Sequence, residues 1–196
     1  MFQRVDYTQV LWHQISPKHS LEAVLNATTS SDAVIDVGCG ASLLVDSLLE
    51  EGYGDITLLD TAKTSLEIVK ERLGEQCMIP EYIHTDILTF QPQKSYDIWH
   101  DRAVFHFLLS SNDIDRYFEV LTKSLKEEGI AILSTFAPNA ETHCAGLETR
   151  AYDKALMEEV LPSGLTLVNY EAFTHITPKK TEQAYSMFVL QKKEGQ

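Results

Sequence analysis

Two glycines stand at the end of the first predicted buried strand, in the run Asp36-Val37-Gly38-Cys39-Gly40. Glycine lacks a Cβ, so the chain can turn tightly there and a ligand can press against the backbone. Ligands of parallel sheets bind beyond the carboxyl ends of the strands. We therefore predict that the backbone of Gly38, Cys39 and Gly40 contacts a ligand, although an ordinary tight turn would also account for two glycines alone.

Three aspartates follow or end three successive predicted strands. Asp36 lies just ahead of the glycines, Asp60 ends the second strand, and Asp86 follows the third. Asp60 stands about 20 residues past the glycine turn, where a carboxylate can accept hydrogen bonds from ribose hydroxyls. Each carboxylate alone is more often a loop residue or a helix cap. Their joint placement favours a nucleoside site at one edge of the sheet.

The fourth predicted strand ends in a run of polar side chains within an otherwise apolar segment. Those able to form hydrogen bonds are Tyr96, Asp97, His100, Asp101, Arg102 and His106. In the functional interpretation His100, Asp101 and Arg102 are catalytic. Asp101 or His100 would take a proton or orient an acceptor, and Arg102 would hold a substrate carboxylate or restrain Asp101. In the structural interpretation Asp101 caps the following helix and Arg102 forms a salt bridge.

Candidate substrate contacts lie near the same edge. Phe105 would supply an apolar wall, unless it belongs to the core. His143 and Arg150 lie in the stretch 137–151 after the fifth predicted strand, and loops so placed commonly set substrate choice. Trp12, ahead of the first strand, is a candidate lid residue, since an aromatic face attracts a cation. Anchoring a helix on the core is the alternative for Trp12.

Short β-rich runs alternate with helical runs along the chain. The predicted strands are 33–37, 56–59, 82–84, 96–100 and 130–136, followed by two longer β-like runs at 165–174 and 184–191. Such a chain predicts an α/β fold with a Rossmann-like, doubly wound sheet, a terminal antiparallel strand pair and helices on both faces. We expect a single domain over residues 1–196, with an N-terminal helical lid (1–30) and a Rossmann-like core (31–196).

Three signals predict where helices begin or end. Ser16-Pro17 is typical of a helix start, with serine as the cap and proline at the first position. Asn112 or Asp113 is expected to cap the helix before the fifth strand, and Gly129 follows its predicted end.

The chain is acidic: its 196 residues include 16 Lys and Arg against 29 Asp and Glu, a formal net charge of −13. Such a surface repels phosphate backbones, which argues against nucleic acid as a partner and leaves a small molecule or a basic protein. We expect no membrane span and no secretory signal. The three cysteines are far apart and the histidines lack metal spacing, so we expect free thiols, a cytoplasmic location and no metal site. The oligomeric state is left open.

These motifs resemble those of the class I S-adenosylmethionine-dependent methyltransferases. The resemblance rests on Asp36-Val37-Gly38-Cys39-Gly40, on Asp60 and on Thr85-Asp86-Ile87, and it spans roughly residues 33–192. It implies a seven-stranded sheet, with S-adenosyl-L-methionine as the cofactor and S-adenosyl-L-homocysteine as the product. The cofactor contacts that it implies are Trp12, Asp36, Gly38, Cys39, Gly40, Asp60, Thr61, Asp86, Ile87 and His100.

Within that resemblance, Asp36 and the glycine backbone lie near the methionine part of the cofactor. Asp60 holds the ribose, Asp86 faces the adenine amino group, and Ile87 packs on the ring. Ser42 stands where many members of the family have a third glycine, which is a mild departure.

A dinucleotide-binding dehydrogenase is the rival within the same fold, and Asp60 suits both. Dehydrogenases prefer G-x-G-x-x-G, whose last glycine allows close packing of helix and strand. Leu43 stands at that position here, so we favour the methyltransferase.

The triplet Asp101-Arg102-Ala103 resembles the corresponding segment of the thiopurine methyltransferase group and, more loosely, that of one branch of protein lysine methyltransferases. It does not resemble the motif of amino-group methylases acting on DNA bases. We expect methyl transfer to a small-molecule acceptor by in-line displacement. The alternatives are a protein lysine methyltransferase and a non-catalytic module that binds the nucleoside.

Overall fold

The structure, a computed structural model, describes residues 16–138, 140, 142–178 and 180–195. The strands are β1 (Val34–Val37), β2 (Ile56–Asp60), β3 (Glu81–His84), β4 (Tyr96–Arg102), β5 (Leu125–Phe136), β6 (His143–Cys144), β7 (Leu147–Glu148), β8 (Leu165–Ile176) and β9 (Glu182–Lys192). The α-helices are α1 (Lys18–Ala27), α2 (Leu44–Glu50), α3 (Lys63–Leu73), α4 (Ser111–Ser124) and α5 (Lys154–Val160).

Seven strands form one sheet in the order β3-β2-β1-β4-β5-β9-β8. β1 to β5 run parallel to their neighbours, whereas β9 is antiparallel to both β5 and β8. The predicted doubly wound sheet with its terminal antiparallel pair is therefore confirmed. The strand order reverses between β1 and β4, so the crevice expected to bind a ligand lies beyond the carboxyl ends of these two strands.

The sheet is buried on both faces, because every residue of β1 and of β2 is buried. Such strands need apolar side chains on both sides, which explains their Val, Ile and Leu content. One face packs on α4, whose buried residues recur at helical spacing and include Ile114, Tyr117, Phe118 and Leu121. The other face packs on α1, α2 and α3 and holds Val24, Leu48 and Leu66 in a second core.

The helix before β5 departs from the prediction at both ends. Its cap is Ser110, whose hydroxyl accepts from the Asp113 N–H at 3.1 Å, rather than Asn112 or Asp113. β5 begins at Leu125, directly after α4, so Gly129 lies inside the strand. An irregularity in the β4–β5 register near Tyr96 and Ile98 accommodates this early start.

The predicted helix ahead of the first strand is present as α1, which contacts α2, β4 and β5. Ser16 does not cap it: Pro17 occupies the cap position and no side chain caps the helix. Pro17 contributes its carbonyl, which accepts from the Leu21 N–H at 2.8 Å. Trp12 lies outside the described residues, and the lid role of residues 1–30 stays a prediction.

None of the helices in the described part of the chain is long and apolar enough to cross a membrane.

Candidate active site

The glycine turn after β1 is built around backbone that only glycine adopts easily. Gly38 and Gly40 have φ of +62° and +54°, in the left-handed region. A Cβ on Gly38 would lie 2.0 Å from Cγ2 of Val104, whereas a Cβ on Gly40 would meet no atom closer than 4.0 Å. Gly38 is thus required by packing against the tip of β4. Gly40 borders open space that a ligand can use.

Asp60, at the end of β2, holds the glycine turn in place. Its carboxylate accepts from the Gly40 N–H at 2.7 Å and from the Ala62 N–H at 2.6 Å. Burial raises the pKa of this carboxyl, and the two backbone hydrogen bonds oppose that rise. A carboxylate has about four lone-pair sites, so Asp60 retains acceptor capacity for ribose hydroxyls beside the turn.

The remaining predicted nucleoside contacts lie along the same edge. Asp86 is exposed, and its Oδ1 accepts from the Leu88 N–H at 2.8 Å. Thr61 is exposed next to Asp60, whereas Ile87 is 5% exposed and belongs to the core. The parallel register of β1, β2 and β3 brings Asp36, Asp60 and Asp86 to one edge of the sheet. Which of these groups touches a cofactor stays a prediction.

Asp36 and His100 form a buried pair that extends to α1. Asp36 Oδ1 lies 2.6 Å from His100 Nδ1, and His100 Nε2 lies 2.9 Å from the Ser20 hydroxyl. All three residues are less than 5% exposed. Both ring nitrogens of His100 are therefore engaged, so this chain of contacts suits anchoring α1 to β1 and β4 better than proton transfer to an acceptor.

Asp101 is fully buried and its carboxylate accepts several hydrogen bonds. The donors are the Tyr117 hydroxyl at 2.5 Å, the Val104 N–H at 2.9 Å and the Phe105 N–H at 3.1 Å. Burial raises the pKa of Asp101 to about 6, although these hydrogen bonds favour the ionised form. Asp101 thus caps the turn that follows β4. The prediction that it takes a proton from the acceptor is not tested by this geometry, which favours a positioning role.

Arg102 is presented at the tip of β4 by strained backbone. The next residue, Ala103, has φ of +71°, a conformation that costs a non-glycine residue roughly 1–2 kcal/mol. Arg102 as a whole residue is half-buried, and its guanidinium Cζ lies 5.0 Å from the centroid of the Tyr185 ring. Strained backbone clusters at functional sites, so the tip of β4 is a place where function is expected.

His106 lies in the capped turn after Arg102 and is fully buried. Its Nδ1 accepts from the Phe136 N–H at 3.4 Å. Burial, with a smaller contribution from the Arg102 charge, lowers the pKa of His106 to about 3, so the ring is neutral. Since Nδ1 is the acceptor, the proton sits on Nε2, and that atom has no hydrogen-bond partner among the described residues.

The predicted substrate contacts divide between core and surface. The Phe105 ring is fully buried against Tyr117, Phe118 and Tyr152, so it is a core residue in this conformation. His143 is exposed on the β6–β7 hairpin. Arg150 is half-exposed, and its N–H donates to the His106 carbonyl at 2.8 Å, which brings the loop after β7 to the tip of β4.

Several residues of the site carry no sequence signal that would have selected them. Ser20 is one polar residue on an amphipathic helix, and Tyr117 reads as part of the apolar face of α4. Tyr185 comes from β9, across the sheet from the glycine turn. Their roles depend on contacts between distant parts of the chain.

The cysteines and possible metal ligands add little chemistry. No disulfide joins Cys39, Cys77 and Cys144, and burial raises the pKa of Cys39 well above its ordinary value. Cys39 therefore contributes its backbone to the turn rather than a reactive thiolate. Across the described ranges, no group of three or more His, Cys, Asp or Glu side chains is placed to hold a metal ion.

Comparison with known proteins gives a family match and several curated relatives. Residues 34–129, just under half of the chain, match the family described as a methyltransferase domain. Malonyl-(acyl-carrier protein) O-methyltransferase 2 of Ilyobacter polytropus is 28% identical over 104 residues, which are 53% of this chain and 39% of the relative. Ubiquinone biosynthesis O-methyltransferase of Rickettsia conorii is 23% identical over 149 residues, 76% of this chain and 50% of the relative. The chain spans about half or less of these relatives.

Among solved structures, the N-methyltransferase NodS of Bradyrhizobium japonicum in complex with S-adenosyl-L-homocysteine has the same fold. Its TM-score is 0.72 at 15% identity, with 92% of this chain and 90% of that chain covered.

The strand order, the glycine turn held by Asp60 and the match to a methyltransferase domain make this chain similar to the class I S-adenosylmethionine-dependent methyltransferases. The narrower resemblance to the thiopurine methyltransferase group stays a prediction.

Proposed function

We propose that this protein transfers the methyl group of S-adenosyl-L-methionine to a small-molecule acceptor. The observation that carries the proposal is the clasp between Asp60 and the Gly40 N–H, at the point where the strand order reverses. The names of the two curated relatives, which act on malonyl-(acyl-carrier protein) and in ubiquinone biosynthesis, support an acceptor outside the protein side chains.

The residues at the crevice fit this cofactor. Gly40 leaves open space at the turn, Asp60 has acceptor capacity for ribose hydroxyls, and exposed Asp86 can accept from an adenine amino group. When bound, S-adenosyl-L-methionine supplies a methyl group already activated by a sulfonium. The chain then has to place the acceptor in line with that methyl group and exclude competitors, which is mainly a positioning effect.

The residues after β4 supply that positioning. Asp101 and Tyr117 fix the turn from which Arg102 and His106 project, and Ala103 sets the angle of the tip. The pair Asp36–His100 ties β1 to β4 and, through Ser20, to α1. We propose that these residues align the acceptor pocket with the cofactor crevice. Asp101 would act by holding the turn and His100 by holding β1 and α1, rather than as bases.

A transfer assay tests the proposal. The protein is incubated with S-adenosyl-L-methionine labelled in the methyl group and with separated small-molecule and protein fractions of a cell extract. Label in a small molecule supports the proposal. Label on a protein lysine would replace it with the lysine methyltransferase alternative. Binding of S-adenosyl-L-homocysteine without any transfer would leave the non-catalytic module.

We further propose a cytoplasmic location, since no disulfide joins Cys39, Cys77 and Cys144 and a reducing compartment keeps cysteines in the thiol form. A fractionated cell extract probed for the protein tests this. Recovery outside the cytoplasmic fraction would contradict it.

A further inference from the structure

The buried polar atoms around the tip of β4 include hydrogen-bond donors that lack an acceptor. His106 Nε2–H is fully buried and has no hydrogen-bond partner among the described residues. The Thr149 hydroxyl, 8% exposed, is also without one. Thr149 immediately precedes Arg150, whose N–H donates to the His106 carbonyl. Buried polar groups are normally hydrogen-bonded, so a ligand group or an ordered water is expected to complete these atoms.

Arg102 adds a positive charge to the same place. Ring contacts connect Arg102 to His106. The His106 and Phe136 ring centroids are 4.6 Å apart, and the Phe136 and Tyr185 ring centroids are 5.2 Å apart. The Arg102 Cζ in turn lies 5.0 Å from the Tyr185 ring centroid. The Arg102 charge also helps to lower the pKa of His106, so the two groups share one electrostatic environment. In a chain of net charge −13, the Arg102 guanidinium and the neutral N–H donor of His106 favour an anionic group.

The groups next to this tip are poorly placed to remove a proton from an acceptor. The Asp101 carboxylate is fully buried and already accepts from Tyr117 and from two backbone N–H groups. Both ring nitrogens of His100 are engaged, and His106 offers its protonated nitrogen. A nucleophile that arrives already deprotonated fits such a site.

We infer that the acceptor is an organic acid, and that Arg102 and His106 bind the carboxylate that receives the methyl group. This inference rests on the proposed function. One carboxylate oxygen forms a C–O bond to the methyl carbon while the S–CH₃ bond breaks and its electron pair passes to sulfur. The anionic carboxylate and the cationic sulfonium become a neutral methyl ester and a neutral thioether sulfur, so no proton is released and no base is needed.

The test uses the full chain, methyl-labelled S-adenosyl-L-methionine, the small-molecule fraction of a cell extract and a probe panel. The panel contains aliphatic and aromatic carboxylic acids, each beside the alcohol and the primary amine of the same carbon skeleton. Methyl esters release labelled methanol on mild alkaline treatment, whereas N-methyl and ether O-methyl groups do not. We expect alkali-labile label in the extract and in acids but not in their alcohols or amines.

Two variants and a control locate the effect. Arg102→Gln is expected to lower kcat/KM for the acid at least about 100-fold, and His106→Phe at least about 10-fold. Both should leave the Kd for S-adenosyl-L-homocysteine within about 2-fold of the parent value. Lys154→Gln removes an exposed charge on α5 and should change neither quantity. Above about pH 6 the kcat/KM should be flat, since the acid is already ionised, whereas an amine acceptor would give a rate that rises with pH.

The outcomes separate the inference from the proposed function. Alkali-stable label in the product overturns the inference and leaves the methyltransferase standing. Equal loss of transfer and of S-adenosyl-L-homocysteine binding in Arg102→Gln also overturns it, because Arg102 would then serve the cofactor or the fold. Absence of transfer to the extract and to every probe overturns both.

Discussion

The tips of β1, β2 and β3 form their part of the site largely from backbone, whereas the tips of β4 and β5 form theirs from side chains. At the first, two left-handed glycines and the Gly40 N–H bonded to Asp60 shape the crevice. At the second, Arg102 and His106 meet Tyr185 and Phe136 from other strands. A backbone cradle suits a cofactor common to a whole class, while side chains can change with the acceptor.

The two regions also differ in how their charged groups are used. Asp60 and Asp86 lie at the crevice and can accept further hydrogen bonds. Asp36 and Asp101 are buried and already form hydrogen bonds within the protein. We therefore propose that Asp60 and Asp86 serve ligand binding, whereas Asp36 and Asp101 serve positioning. Substitutions that affect ligand binding but not positioning, or the reverse, can distinguish these two roles.

The largest effect is expected for Gly38→Ala. Its Cβ would lie 2.0 Å from Cγ2 of Val104, and its φ of +62° disfavours alanine. Together, overpacking and backbone strain should lower the free energy of unfolding by about 2–4 kcal/mol, measured by urea denaturation.

Gly40→Ala is the matched control, since its φ is also positive but its Cβ meets no atom closer than 4.0 Å. It should cost only about 1 kcal/mol of stability, because only the backbone conformation is disfavoured. It should nevertheless weaken S-adenosyl-L-homocysteine binding in calorimetry, since the Cβ enters the space left for the ligand. Equal destabilisation by both substitutions would show that the turn is not packed against the tip of β4.

A second effect, of about 3 kcal/mol at most, is expected in the pH dependence of stability through Asp101. Its pKa is raised from 3.8 to about 6 in the folded protein, so the protonated form is favoured there. Its contribution to stability is therefore fully present below about pH 4 and is lost as the pH rises through about 6. Asp101→Asn should remove this loss, so the free energies of unfolding of parent and variant should converge or cross between about pH 4 and 7.

Asp115→Asn, an exposed position on α4, is the control and should run parallel to the parent protein. If the Asp101→Asn curve also ran parallel, the buried carboxyl would not titrate as described and its positioning role would lose its main support.

The smallest effect is expected for Ser20→Ala. The substitution removes the hydroxyl that meets His100 Nε2 and leaves that nitrogen buried without a partner, which should cost about 1–2 kcal/mol. Both this variant and Ser16→Ala are compared with the parent protein by thermal unfolding. Ser16 is exposed and precedes α1, so Ser16→Ala should be neutral. A neutral Ser20→Ala would mean that the contact does not hold α1 to the sheet.

The backbone half of the site was predictable from the sequence because its signals are local. Apolar runs of strand length marked β1, β2 and β3, and the glycines and Asp60 follow them directly along the chain. The terminal strand pair was equally visible as two long β-like runs. The cap of α4 was predicted two or three residues too late, because Ser110, Asn112 and Asp113 are all suitable caps and propensity does not choose among them.

The side-chain half was not predictable, since its contacts join distant residues. Ser20 and His100 are 80 residues apart and Tyr117 and Asp101 are 16 apart. Spacing placed Asp101 near the carboxyl end of β4, but only packing decides whether a carboxylate faces the chamber or the core. For the same reason the sequence did not show that the Phe105 ring is buried in the core instead of lining a pocket.

The central claim is that the crevice at the glycine turn binds S-adenosyl-L-methionine through Asp60. Calorimetric titration of S-adenosyl-L-homocysteine into the parent protein, Asp60→Asn and Asp55→Asn tests it most directly, because Asp55 precedes the same strand at its opposite end. We expect a roughly micromolar Kd for the parent and for Asp55→Asn, and a Kd at least about 10-fold weaker for Asp60→Asn, since hydrogen bonds to a charged group contribute about 1.5–3 kcal/mol. Tight binding of NADH with no heat from S-adenosyl-L-homocysteine, or equal affinity in all three proteins, would contradict the account.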